Sequence, residues 1–250
     1  MGIEGAQSVN RALALLLRII DDGGGSSLAA LGREIGLAPA TSYRLAGSLR
    51  AAGLVVGFAK GRLYVGPELA SRRAQLSLRP ALVAAARPIL RRLARAERSV
   101  AHIGVLENDM VTYLVREGAE SSTIFSEEGS QLEAYCSGIG KMLLASLPEP
   151  ERETYLAAGP FVALTDRTIT DPAHLRAELA ETATRGFACD RGEAALDLNC
   201  TAVAIRDPTG AAIAALSLSR LGPAPAKAHV LGLLRDASVA IEQAIFQKRC

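Results

Sequence analysis

The segment 26–54 constrains this chain most, because its apolar, glycine and proline residues follow the order of a helix-turn-helix. Three apolar residues at helical spacing predict a first short helix, and a glycine ends it. A proline then opens a second helix at a position that tolerates its missing N–H. Two leucines give that helix a buried stripe, and another glycine ends it. In chain order these residues are Leu28, Leu31, Ile35, Gly36, Pro39, Leu45, Leu49 and Gly53.

The second helix of this pair has the spacing needed to lie in a major groove. Its predicted solvent side offers hydrogen-bonding and cationic groups, which suit base edges and phosphates. An ordinary helical hairpin with a solvated outer face is the alternative. The candidate DNA-contacting residues of this helix are Pro39, Ala40, Thr41, Ser42, Tyr43, Arg44, Ser48 and Arg50.

Two short β-prone runs, 54–56 and 62–65, follow the helix pair and predict a hairpin. Lys60 and Arg62 give this hairpin a basic tip that would reach a phosphate or the minor groove. Helix, helix-turn-helix and basic hairpin together predict a winged-helix domain. The charge distribution agrees with a DNA-binding role for this domain. Residues 1–80 are basic, with 10 Lys and Arg against 5 Asp and Glu, whereas residues 81–250 are slightly acidic, with 18 against 21.

The composition favours a soluble protein of one large domain or two modest ones. No apolar run is long enough for a membrane span, and residues 1–10 are too polar for a signal peptide. The four cysteines form no CxxC pair, so neither a zinc site nor a disulfide framework is indicated. We therefore expect a cytoplasmic protein with reduced thiols and no cofactor or metal.

Two further helices are predicted in the first third of the chain. Residues 8–21 form the first, with Ser8 as N-cap. Residues 67–78 form a linker helix that begins at Pro67, and Pro80 marks its boundary. The predicted domains are 1–66, the linker 67–80, and 81–250. The apolar face predicted for the first helix contains Val9, Leu13, Leu16, Leu17 and Ile20.

The remainder of the chain predicts an α+β fold, an antiparallel sheet with helices on one side or flanking it. A Glu107-Asn108-Asp109 turn and an Asp207-Pro208-Thr209-Gly210 turn separate strand pairs. The predicted helices are 82–98 (interrupted or kinked near Pro88), 138–147, 149–157, 172–185 and 226–247. The predicted strands are 100–106, 110–115, 121–125, 187–190, 201–205 and 211–219, and residues 132–135 lead into Ser137.

Signatures of catalysis are missing from this second domain. Residues 138–141 resemble the end of a phosphate-binding loop, but Tyr135 and Met142 replace the glycine and the hydroxyl that such a loop needs. There is no G-x-S-x-G motif. The three histidines, His102, His174 and His229, lie in unrelated segments, and we assign them to the surface or to packing. A small-molecule enzyme with Cys200 or Cys136 as nucleophile is the alternative to a binding domain.

A group of small polar residues predicts an anion site instead. Residues 137–140 lead into a helix, and exposed N–H groups at a helix N-terminus attract anions. Ser217 and Ser219 alternate on one strand and so share a face. Asp190 ends one strand and Cys200 begins another. The alternative is that Ser137 is only an N-cap and the serine pair is the polar face of an edge strand.

Taken in order, these segments resemble the IclR family of bacterial transcription regulators over about residues 8–248. The matching stretches share their order and spacing with that family, and the resemblance implies a winged helix, a linker helix and an effector domain. It further implies binding to double-stranded operator DNA as a dimer or tetramer, in response to a small organic acid, often a catabolic carboxylate. The matching stretches are 8–13, 36–37, Thr41, 44–45, Leu49, 53–55, 138–145, Thr165, 168–169, 186–190, Glu193, 198–200, Ala202 and 217–219.

The resemblance also implies the effector-binding residues. The family's pocket positions match Gly138, Ile139, Asp190, Cys200, Ser217 and Ser219, and the anion-site argument adds Ser137 and Gly140. We expect the N–H groups of residues 138–140 to bind a carboxylate and the two serines to hydrogen-bond the ligand. The family pattern would imply ligand-dependent regulation rather than catalysis.

The chain departs from the family pattern at several positions. Ala46 replaces a second leucine, and Gly47 follows it inside the recognition helix, where glycine costs about 0.5–1 kcal/mol relative to alanine. Residues 39–40 replace a frequent Lys-Ser pair. Cys136 and residues 196–197 also differ close to the expected pocket, which leaves the ligand's identity open.

Overall fold

The computed structural model describes residues 6–58, 61–72, 76–118, 126–222 and 227–246. Residues 1–77 and 78–250 form two compact units. The predicted strand 121–125 and Lys60 lie outside the described residues, as does part of the predicted linker helix. Among the residues described, every helix is too short or too polar to span a bilayer.

The first unit contains a helix-turn-helix and a two-stranded hairpin. Its elements are α1 (Ala6–Asp22), α2 (Leu28–Glu34), α3 (Pro39–Ala51), β1 (Val55–Gly57), β2 (Leu63–Val65) and α4 (Pro67–Ser71). The side chain of Ser27 caps α2, and Pro39 lies in the first turn of α3. Gly36 and Gly53 both have φ of +69°, a conformation that suits glycine at a helix end. The predicted helix-turn-helix and hairpin are therefore confirmed.

The predicted face of α1 is wrong for four of its five residues, since of that set Leu16 alone is buried. Leu15, Leu16 and Ile19 are the residues of α1 buried in the core of this unit, together with residues of α2, α3 and the hairpin. The helix is apolar on several sides, so its periodicity did not decide which side packs. It also begins at Ala6 rather than after Ser8. The apolar residues that it leaves exposed are Val9, Leu13, Leu17 and Ile20.

The predicted linker helix is shorter than expected. Helix α4 ends at Ser71, and residues 76–77 are not helical. The next helix, α5 (Arg79–Glu97), takes Pro80 into its first turn and continues as one helix through Pro88. The N–H groups in the first turn of a helix have no partner inside the helix, so a proline there costs no hydrogen bond. Pro80 therefore starts this helix instead of ending the one before it.

The second unit is a six-stranded antiparallel sheet between two layers of helices. The remaining elements are β3 (Val100–Glu107), β4 (Met110–Glu117), β5 (Gln131–Glu133), α6 (Gly138–Ser146), α7 (Glu149–Leu156), α8 (Pro172–Arg185), β6 (Ala188–Arg191), β7 (Leu198–Arg206), β8 (Ala212–Leu221) and α9 (Lys227–Phe246). The strand order is β5-β4-β3-β8-β7-β6. Helices α5 and α9 pack on one face, and α6, α7 and α8 pack on the other. The α+β class and the antiparallel sheet are confirmed.

Candidate functional site

The exposed side of α3 carries most of the residues predicted to contact DNA. Tyr43 is 57% exposed, and Arg44, Ser48 and Arg50 are exposed beside it. Thr41 is half-buried, Pro39 and Ala40 are exposed in the first turn, and Arg62 is exposed next to β2.

Ser42 does not belong to this exposed side. It is fully buried, and its hydroxyl donates to the carbonyl oxygen of Ala38 at 3.2 Å. It packs against Gly32, where an added Cβ would lie 2.1 Å from the Ser42 hydroxyl. Ser42 therefore joins α3 to α2, and its prediction as a DNA-contacting residue is wrong.

A cavity of about 90 Å³ lies between the sheet and the N-terminus of α6. Seven of the eight predicted effector residues line it: Ser137, Gly138, Ile139, Asp190, Cys200, Ser217 and Ser219. The sheet register explains why they meet, because Asp190 is opposite Cys200, and Cys200 is opposite Ser219. Strand β8 lies inside the sheet between β3 and β7, so the alternative in which the serine pair belongs to an edge strand is wrong.

Gly140 is the predicted residue that does not line the cavity. Its N–H donates to the hydroxyl of Ser137, the N-cap of α6, at 3.0 Å. An added Cβ at Gly140 would lie 2.2 Å from the carbonyl oxygen of Ala134, so this glycine allows α6 to pack closely. At Gly138 an added Cβ would lie 2.9 Å from the sulfur of Cys200. The two glycines therefore position the helix N-terminus over the sheet.

Asp190 is the acidic residue of the cavity lining. It is 2% exposed, and its Oδ1 accepts a hydrogen bond from the backbone N–H of Glu193 at 2.7 Å. Burial raises the pKa of Asp190 to about 7, against the lowering effect of that backbone hydrogen bond. At neutral pH this carboxyl group is consequently divided between its protonated and ionised forms.

A buried ion cluster lies next to Asp190. Lys141 of α6 is 1% exposed, and its Nζ is 2.5 Å from Oε1 of Glu193 and 3.4 Å from Oε1 of Glu178. Burial raises the pKa of Glu193, opposed by Lys141. Although burial also acts upward on Glu178, Lys141 and Arg185 hold its pKa below the usual value. The lysine of the phosphate-loop-like segment is thus an ion-pairing residue.

Two threonines fix the loop that closes the cavity. The Thr165 hydroxyl donates to the carbonyl oxygen of Gly192 at 2.7 Å, and the Thr168 hydroxyl donates to that of Glu193 at 2.7 Å. Ala194 and Ala195, the next residues of this loop, line the cavity. The two threonines therefore hold a loop of the cavity wall, although neither of them lines the cavity itself.

The sequence reasoning missed the three other polar residues of the cavity lining, His102, Tyr113 and Ser126. His102 was assigned to packing or the surface, and it is indeed buried, but it also lines the cavity. It lies opposite Ser217 in the β3–β8 register, which joins strands far apart in the chain. Alternating polarity on β3 was a weak signal, because Val100 and Gly104, which share the face of His102, are not polar.

The cysteines are poorly suited to nucleophilic catalysis. Burial raises the pKa of Cys136 and of Cys200 to about 12, so neither thiol forms the reactive thiolate near neutral pH. Within the described ranges, no three His, Cys, Asp or Glu side chains are grouped to hold a metal ion. The cavity lining instead carries hydroxyl, imidazole and carboxyl groups, which are hydrogen-bonding groups.

A winged helix and a domain with a polar internal cavity define a DNA-binding protein with a ligand-binding domain. Comparison with protein families agrees. Residues 8–57 match the IclR helix-turn-helix domain, and residues 76–242 match the bacterial transcriptional regulator IclR C-terminal domain. The chain belongs to the IclR family of bacterial transcriptional regulators, and it is a regulator rather than an enzyme.

Similar proteins share most of their length with this chain. It is 32% identical over 217 residues to the HTH-type transcriptional regulator BhcR of Paracoccus denitrificans, covering 86% of this chain and 77% of that protein. It is 30% identical to the acetate operon repressor of Salmonella typhimurium, covering 85% and 79%. An IclR homologue from Microbacterium hydrocarbonoxydans, solved in complex with 4-hydroxybenzoate, is 26% identical with a TM-score of 0.64, covering 95% and 100%.

Proposed function

We propose that this protein binds double-stranded operator DNA and changes its DNA affinity when a small organic acid, from a catabolic pathway, occupies the cavity beside α6. The observation that carries the proposal is the cavity itself. One wall is a helix N-terminus with the N–H groups of Gly138 and Ile139, and the floor carries the hydroxyls of Ser217 and Ser219. N–H and O–H donors at a helix N-terminus favour a carboxylate.

Asp190 is compatible with a bound anion because of its raised pKa. When it is protonated, its O–H donates to a ligand carboxylate and removes the repulsion between two negative charges. The relative solved with 4-hydroxybenzoate supports the same ligand class, since that molecule is a carboxylate. The effector residues in this proposal are the seven that line the cavity, with Gly140 supporting the helix N-terminus.

The DNA-binding residues in the proposal lie on α3 and the hairpin. Thr41, Tyr43 and Arg44 enter the major groove, where hydroxyl and guanidinium groups read base edges. Arg50 and Ser48 contact phosphates of the DNA, and Pro39 and Ala40, in the first turn of α3, lie beside the DNA backbone. Arg62 contacts the DNA backbone or the minor groove, and Lys60 is assigned the same role from the sequence alone.

We further propose a homo-oligomer, a dimer or tetramer, in which α1 contributes a contact. Its exposed apolar residues Val9, Leu13 and Leu17 lie four residues apart, so they follow one side of the helix. An exposed apolar stripe of this kind is typical of a protein interface. Two copies would present two recognition helices to two half-sites of one operator.

An effector acts on DNA binding only if it binds the DNA-competent and DNA-incompetent states with unequal affinity. In this proposal the acid favours one of these states.

The test is a salt titration of binding to the DNA upstream of the protein's own gene, for the wild type and for Arg44→Ala. We expect Arg44→Ala to weaken specific binding without unfolding the protein, because a lost base contact costs roughly 1–3 kcal/mol at each half-site. Arg235→Ala, an exposed arginine on α9, is the matched control and leaves binding unchanged. Full operator affinity in a folded Arg44→Ala variant contradicts the proposed role of α3.

A further inference from the structure

His102 lies at the opposite end of the cavity floor from Asp190. In the sheet register His102 of β3 is opposite Ser217 of β8, whereas Asp190 is on β6 at the sheet edge. Three strand spacings separate β3 from β6, which is about 14 Å between backbones at about 4.8 Å a step. The cavity therefore has two polar ends with the serine strand between them.

The side chain of His102 is buried, and within the described residues one of its two ring nitrogens is not hydrogen-bonded. The side chain is 2% exposed, its Nε2 is 2.7 Å from the hydroxyl oxygen of Ser126, and its ring lies 5.1 Å from that of Tyr113. Nδ1 is buried and has no hydrogen-bond partner in the described part of the chain. A buried polar atom without a partner is unfavourable, and a ligand atom that pairs with it removes that cost.

The charge of His102 limits what it binds. Burial, with a smaller contribution from the positive charge of Arg116, lowers the pKa of His102 to about 3, so the ring is neutral at pH 7. In a neutral imidazole one nitrogen donates and the other accepts. The Ser126 hydroxyl fits either tautomer, so Nδ1 is a donor in one and an acceptor in the other. A ligand hydroxyl is the simple group that pairs with Nδ1 in both cases.

We propose that Nδ1 of His102 binds a hydroxyl group of the effector, so that the cavity selects hydroxy acids over acids of the same shape without the hydroxyl. This rests on the proposed function, since it takes the cavity as the acid site. The cavity volume of about 90 Å³ is smaller than the ~150 Å³ cavity that holds benzene, which favours a short aliphatic hydroxy acid.

The experiment compares acids in which a hydroxyl replaces a methyl group, so that size is kept. The pairs are lactate and 2-methylpropanoate, 3-hydroxybutanoate and 3-methylbutanoate, 4-hydroxybutanoate and pentanoate, and 4-hydroxybenzoate and 4-methylbenzoate. Calorimetry on the full chain gives the dissociation constants. We expect the hydroxy acid of at least one pair to bind at least tenfold more tightly than its methyl partner. A site that hydrogen-bonds a hydroxyl discriminates strongly against an analogue without it.

His102→Leu should abolish this preference by weakening the hydroxy acid while the methyl acid still binds. His174→Leu is the matched control, because the side chain of His174 is 84% exposed on α8, and it should keep the preference. If His102→Leu does not fold, ¹⁵N NMR of the wild type replaces it, since the chain has only 3 histidines. There the hydroxy acid should shift the His102 Nδ1 resonance more than the methyl acid does.

The outcomes separate this inference from the proposed function. Equal binding of both members of every pair overturns the role of His102 and leaves the acid site intact. A preference that survives His102→Leu also overturns it. If no acid of any pair binds, the acid site itself is wrong, and the inference fails with it.

Discussion

The two faces of the six-stranded sheet differ in what they bury. Toward α5 and α9 the sheet carries a continuous apolar cluster that includes Ile103, Leu216 and Leu218. Toward α6 and α8 the sheet carries a second apolar cluster, and beside it the buried polar residues Asp190, Ser217 and His102. The same strands supply both faces, because alternate residues point to opposite sides. One face thus stabilises the domain, and the other combines packing with a polar cavity, so changes on the two faces should have different consequences.

The largest effect is expected from Lys141→Met, on the cavity side. This change leaves Glu193 buried without its cation, whereas Glu178 keeps its ion pair with Arg185, and breaking a buried pair costs about 3–5 kcal/mol. The free energy of unfolding, from urea denaturation of the full chain, measures it. Arg176→Met is the matched control, since its pair with Glu153 is exposed and worth about 0–1 kcal/mol. Equal losses for the two variants would contradict the role of the buried cluster.

Neighbouring residues on β8 provide the second comparison. Leu216 is fully buried in the apolar cluster, so Leu216→Ala should cost about 2–5 kcal/mol of unfolding free energy and leave acid affinity unchanged. Ser217→Ala should have the reverse result, with about a tenfold loss of acid affinity, roughly 1.4 kcal/mol, and little loss of stability. Calorimetry and urea denaturation on both variants distinguish the two faces. If both variants lose affinity equally, the division between the faces is wrong.

The raised pKa of Asp190 predicts how acid binding depends on pH. Below about pH 7 the carboxyl group of Asp190 is protonated and does not repel the carboxylate of a bound acid. Above about pH 7 the carboxyl group is ionised and repels that carboxylate. Acid affinity should therefore fall as pH rises through 7, by up to about tenfold per pH unit if one proton is taken up on binding. Calorimetry between pH 6 and pH 8.5 measures this slope. Asp190→Asn is the control and should flatten it; an unchanged slope in that variant excludes Asp190 as its source.

Substitutions at two helix glycines should have the smallest effects, and they contrast a crowded position with an open one. Gly138→Ala places a Cβ against Cys200 in the cavity wall and should displace α6 enough to weaken acid binding. At Gly47 an added Cβ meets no atom within 4 Å, so Gly47→Ala should stabilise the first unit by about 0.5–1 kcal/mol. Thermal unfolding and acid titration measure both. A destabilised Gly47→Ala variant would contradict this interpretation of the recognition helix.

Local signals in the sequence were sufficient for much of the fold. Asp171, Pro172 and Gly186 predicted helix α8 correctly, because a cap, a first-turn proline and a left-handed glycine each act over a few residues. The exposed face of α1 was not predictable in the same way. Leu17 is as apolar as Leu16, and only packing against α2 and α3 decides which one is buried.

In the candidate site, too, residues with a local signal in the sequence were predicted, and residues placed by distant contacts were not. Ser217 and Ser219 were found because alternation on one strand is visible in the sequence. His102 was not, because its place beside Ser217 depends on pairing between distant strands. Ser42 was misassigned because a short polar side chain on a helix has either a solvent or a packing role, and Gly32 decides between them.

Acid binding in the cavity and DNA binding on α3 should be coupled, and the reciprocity of that coupling is measurable. The dissociation constant for upstream DNA is measured with and without a saturating hydroxy acid, and that for the acid with and without saturating DNA. We expect both ratios to differ from one and to be equal, because coupling between two sites is the same in both directions. An acid that binds tightly while both ratios stay at one would contradict it.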